Sequence, residues 1–142
     1  MHLMSGNSRL LALLDRLSPP PTARAHCDLP CGVYDPAQAR IEAESVKACM
    51  EKFNASDDVV FKERAVLIKE ERADLVKHHL WVLWTDYFKP EHLEAHPQLH
   101  DLFWKATKAA GEAKKTNDAA VAQRLLENIG EIDRIFWETK KA

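Results

Sequence analysis

VVFKERAVLIKEERADLVKHHLWVLWTD, residues 59–86, runs for 28 positions without a glycine or a proline. Proline would remove a backbone donor and clash with the preceding turn, and glycine would cost helix entropy. An unbroken run of this length therefore reads as one long helix. Phe61, Ala65, Ile68, Leu75, Leu80, Leu83 and Tyr87 are expected on its apolar face, and Lys89-Pro90 ends it. Upstream, Asp35-Pro36 is a start signal: Asp35 can cap, and Pro36 suits the first helical position. Ile41, Ala48, Cys49 and Phe53 follow at roughly helical spacing. Residues 54–58 break the pattern, with Asp57 or Asp58 able to cap the long helix. Downstream, a loop at 91–96 leads to Pro97 and a third helix with Leu99, Leu102, Phe103, Ala106 and Ala110 inward. Thr116-Asn117-Asp118 is a turn and cap, and Val121, Leu125, Ile129, Ile132 and Phe136 carry a fourth helix. No strand pattern and no internal repeat is visible. Four antiparallel helices with short connections make an all-α, up-down four-helix bundle.

Composition agrees. The 142 residues suffice for one domain around one core. The four glycines are too few for a turn-rich β fold. Twenty basic residues against 22 acidic ones argue against a general nucleic-acid binder. No apolar run approaches the ~20 residues that span a bilayer. Three cysteines do not close a disulfide framework, so reduced thiols and a cytoplasmic setting are expected.

The chemistry lies ahead of the bundle, in HCDLPCGVYDP at residues 26–36. A loose SPPPTARA run at residues 18–25 precedes it. Residues 1–25 read as a leader that is cut between Ala25 and His26, since an exposed proline-rich segment is a good protease substrate. Export is the lesser alternative, because Asp15 and Arg16 cut short the apolar stretch at residues 10–14. After such a cut, His26 offers both an α-amine and an imidazole. The amine, the Cys27 amide nitrogen and the Cys27 thiolate can close two fused five-membered rings on a metal, which favours a plane. Cys31 can complete the plane, and the imidazole can cap it. A square-planar, nitrogen-rich site suits nickel or copper better than tetrahedral zinc. Anionic thiolate and amidate donors stabilise a higher oxidation state, so nickel held this way can alternate between II and III. Cys-x-x-x-Cys beside a histidine is also compatible with half a zinc site, a redox dithiol or a metal carrier without turnover. Cys49 reads as a small core residue.

Three stretches together carry a more specific likeness. HCDLPCGVYDPAQARIEAESVKA at residues 26–48, IKEERADLVKHHLWVLWTDYFKP at 68–90 and IDRIFWETKKA at the C-terminus resemble the nickel-containing superoxide dismutases. The resemblance spans residues 26–142, with a hook at 26–34 and the bundle at 35–142. It implies one nickel ion per subunit, held by the His26 amine and imidazole, the Cys27 amide and thiolate and the Cys31 thiolate. It also implies a maturation protease, a cis peptide before Pro30 and a homohexamer of right-handed bundles, with superoxide as substrate. Glu42 and Arg72 match residues that orient the axial imidazole. Tyr34 and Tyr87 match tyrosines that line the approach to nickel. Taken alone, Glu42 and Arg72 would read as a solvated helix pair, and the tyrosines as core packing.

Overall fold

The computed structural model describes residues 32–141. Within them lie α1 (Ala37–Ala55), α2 (Val59–Val82), a π-helical turn (Leu83–Tyr87), α3 (Pro90–Ala95), α4 (Leu99–Lys115) and α5 (Ala119–Lys141). No strand occurs among the described residues. The long helices close into a ring: α1 packs on α2 and α5, and α4 packs on the same two. Diagonal pairs touch far less. This is the expected four-helix bundle, with the short α3 spanning the connection between α2 and α4.

Local chemistry sets the helix ends. The Ala37 N–H donates to the Asp35 carboxylate at 2.8 Å, and Pro36 enters the helix at φ −60°. Asp58 accepts from the Phe61 N–H at 3.1 Å and starts α2. Asp118 does the same for α5 through the Ala120 N–H at 2.9 Å. Each such cap is worth about 1 kcal/mol.

The inward faces of α4 and α5 follow the sequence pattern. Leu99, Phe103, Ala106 and Ala110 are buried with Leu125, Ile129, Ile132 and Phe136; Leu102 is half-buried. The faces of α1 and α2 differ from expectation. Ile41, expected inward, is 53% exposed, and α1 instead buries Ala39, Ala43, Val46 and Met50. Ala48, Cys49 and Phe53 are half-buried. On α2, Ala65 and Leu80 are buried as expected, as is Leu83 in the π turn, but Phe61 and Ile68 are exposed. Ala73, Val76 and the aliphatic stem of Lys69 complete the buried stripe. The α1–α2 pairing is the most extensive in the bundle. Four of the nine buried residues on these two helices are alanines, whose small side chains leave a faint hydrophobic signal. The segment at 91–96, expected as a loop, holds α3. Pro90 begins it, and the Lys89 N–H donates to His92 Nδ1 at 3.2 Å across its first turn.

Lys69 is the buried charged residue of this core, with 2% of its surface exposed. Its ammonium donates to the Thr116 carbonyl and, at 2.9 Å, to Asn117 Oδ1. Asn54 from α1 donates to the Asn117 carbonyl at 2.9 Å. Two helices therefore grip the α4–α5 turn. Burial lowers the Lys69 pKa from its ordinary value. Lys69→Met is expected to leave two acceptors unsatisfied and to destabilise the fold by about 1–3 kcal/mol. A urea-unfolding midpoint equal to wild type would contradict this.

Candidate metal centre

The expected ligands His26, Cys27 and Cys31 lie outside the described residues, as do Ala25 and the Pro30 peptide bond. The description begins at Gly32, one residue past Cys31. Gly32 has φ +72°, a left-handed conformation that side chains with a Cβ rarely adopt.

Tyr34 meets Tyr87, with ring centroids 5.6 Å apart. Tyr87 is placed by the π turn, closed by the Phe88 N–H donating to the Leu83 carbonyl at 3.1 Å. Such a turn holds one extra residue and so changes the face that the following side chains present. Tyr87 packs at 4.4 Å from Phe136 and stacks at 5.7 Å on His92. Its hydroxyl lies 2.7 Å from Thr139 Oγ1. Thr139 spends its one hydroxyl proton on the Phe136 carbonyl at 2.7 Å, so Tyr87 is the donor to Thr139.

Glu42 on α1 and Arg72 on α2 also meet. Arg72 Nη1 is 3.3 Å from Glu42 Oε2, and Nη2 is 3.0 Å from Glu71 Oε1. The Glu42 side chain is 16% exposed and that of Arg72 34%, so the carboxylate is the more sheltered partner. A carboxylate has about four acceptor positions, so Glu42 retains capacity for another donor.

Cys49 stands apart from both pairs in sequence and is half-buried. Burial pushes its thiol pKa up, while the nearby Lys52, Arg72 and Lys69 cations pull it partly back. Among the described residues, no group of three His, Cys, Asp or Glu side chains is placed to hold a metal ion. Sequence reasoning gave no role to Thr139 or His92, although both hold Tyr87. Thr139 lies inside the C-terminal stretch quoted above, but hydroxyl partners carry no periodic signal.

Fold and side chains define a helical bundle that carries a tyrosine pair and a carboxylate–guanidinium pair, in a chain whose sequence ahead of the bundle is rich in sulfur and nitrogen donors. The family model of nickel-containing superoxide dismutase matches residues 21–140. A superoxide dismutase [Ni] of Streptomyces seoulensis is 61% identical over 131 residues, covering 92% of this chain and 100% of that protein. A solved nickel-containing superoxide dismutase, with nickel ligation of a partially reduced state, is 64% identical with TM-score 0.81. It covers 82% of this chain and 100% of its own. Two solved variants of such enzymes replace a tyrosine at their ninth position and a histidine at their first. They are 61% and 58% identical, with TM-scores of 0.81 and 0.74. They cover 82% and 76% of this chain, and 100% and 99% of their own. The chain belongs to the nickel-containing superoxide dismutase family, whose activity is the disproportionation of superoxide. The likeness extends upstream of His26 into the segment read as a leader, further than the sequence motifs alone reach.

Proposed function

We propose that residues 1–25 are removed and that superoxide is disproportionated at the exposed hook: two superoxide anions and two protons give oxygen and hydrogen peroxide. The observation that carries this reading is the meeting of both expected residue pairs, Tyr34 with Tyr87 and Glu42 with Arg72, in a chain of this family. Chain lengths support the cut. The 82% of 142 residues spanned by the solved relative is about 116 residues, against 117 in residues 26–142. Counted from His26 as first, Tyr34 is ninth, which matches the tyrosine replaced in the solved variant.

The donor chemistry fits nickel: His26 amine and imidazole, Cys27 amide and thiolate, and Cys31 thiolate are the groups that would hold it, one ion per subunit. Bound nickel supplies a one-electron relay between its II and III states. Glu42 would accept an N–H from the His26 imidazole and so aim the ring, and Arg72, at 3.3 Å from the Glu42 carboxylate, would steady it. Tyr34 and Tyr87 line the approach and hold water or a small anion; the proton carrier is a hook thiolate, water held by Tyr34, or the backbone amides of Asp28 and Cys31. Removing the leader takes Arg9, Arg16, Arg24 and Asp15 with it, changing the formal charge from −2 to −4. Attraction of an anion must then come from local cations. Lys140, whose ammonium lies 5.0 Å from the Tyr87 ring centroid, is one.

Val59, Val60, Phe61, Leu67 and Ile68 on the first three turns of α2, and Ile41 on α1, are exposed large apolar side chains that assembly into a homohexamer would cover. Reduced thiols favour a cytoplasmic protein processed by a dedicated protease. No helix among the described residues is long and apolar enough to cross a membrane.

The test is superoxide decay with metal analysis on protein that begins at His26. Nickel-loaded protein accelerates the decay and metal-free protein does not; equal rates would refute the reading. Glu42→Gln and Arg72→Ala are expected to cost ~10–100-fold in activity or nickel affinity. They should also weaken the nickel(III) paramagnetic resonance signal. Wild-type behaviour in both would remove the imidazole-aiming role while leaving the hook intact.

A further inference from the structure

We infer that the aromatic side chains running from Tyr34 to Trp137 form a path that drains oxidising equivalents from the site to the protein surface. The inference rests on the proposed location of the metal beside Tyr34. Ring centroids step 5.6 Å from Tyr34 to Tyr87, 4.4 Å on to Phe136 and 5.1 Å on to Trp137. Each gap is van der Waals contact or close to it, so an electron crosses from the surface to the site in short steps. Phe136 is fully buried and bridges the two oxidisable ends, and Trp137 is 45% exposed.

The surroundings give the path a direction. The Lys140 ammonium lies 5.0 Å from the Tyr87 ring centroid and 5.4 Å from that of Phe136, so positive charge is disfavoured there. The proton of Tyr87 points at a hydroxyl rather than a base. At the far end the Trp137 indole N–H donates to the Asp133 carboxylate at 3.2 Å. That carboxylate favours positive charge on the indole and can take its proton.

An oxidant at the site, of the peroxide-derived radical class, takes one electron from Tyr34, whose phenolic proton is lost to water. Trp137 then gives one electron along the path and its Nε1 proton to Asp133. Tyr34 gains that electron and recovers a proton from water. A thiol in solution returns an electron and a proton to the indolyl radical and leaves as a thiyl radical, and Asp133 releases the proton it took to water. The site is spared, and the damage is moved to where small reductants reach it.

Exposure provides an internal control. Trp104 is 58% exposed and Trp81 52%, both more than Trp137. In the metal-free full chain, treated with a sub-stoichiometric dose of azidyl radical, peptide mass spectrometry should find oxidation concentrated on Trp137. Trp137→Phe should then shift oxidation onto Tyr34 and Tyr87. Modification that follows exposure, with Trp104 first and the tyrosines unchanged by Trp137→Phe, would overturn the path. The nickel-loaded enzyme treated with hydrogen peroxide should show the same redistribution and, in Trp137→Phe, a faster loss of activity. If only this second arm fails, the path stands and the placement of the metal beside Tyr34 is wrong.

Discussion

Serine in place of either Cys27 or Cys31 is expected to abolish superoxide turnover and leave the helices formed. A thiolate is an anionic, polarisable donor, and it stabilises an oxidised metal by giving up electron density. A serine hydroxyl stays protonated near neutral pH and does neither. The fold does not depend on these residues, because its core is made by Leu80, Leu99, Leu125, Ile129 and Phe136 on the long helices. Circular dichroism should therefore match wild type, while superoxide decay falls to the uncatalysed rate. Near-normal activity in either variant would rule out a site with two thiolates.

The second large effect concerns the leader. With Ala25 still attached, the His26 nitrogen is an amide. It then has no lone pair to offer as an amine, and the first of the two fused rings cannot form in the same way. The uncut precursor should bind nickel weakly and show no turnover, although its helices need no processing to fold. Cleavage should restore both properties in a single step. Full activity from a chain shown by mass to retain residues 1–25 would break the link between processing and catalysis.

The bundle was legible where a helix has one wet face and one dry one. On α4 and α5, large aliphatic and aromatic residues recur at helical spacing, and the expected inward positions are buried or half-buried. On α2, Val59, Val60, Phe61, Val66, Leu67 and Ile68 surround the axis, so periodicity alone could not orient it. The buried side was instead marked by Ala65, Ala73 and a lysine. Ala39 and Ala43 hid the inner face of α1 in the same way. Large apolar residues such as Ile41 and Phe61 fit the expected inner face by spacing, yet they are exposed. Of the candidate site, the two residue pairs came from family likeness rather than from periodicity, and the structure brings both together. What fixes Tyr87 was not legible: a π turn, a threonine and a stacked histidine have no periodic signature.

The most direct measurement is the intact mass and metal content of the protein purified from its native host, taken on the same sample as its superoxide-consuming activity. The expected result is a chain that begins at His26, carries one nickel ion and is active. An active chain that retains residues 1–25, or one that is active without nickel, would contradict the hook as the site of the chemistry.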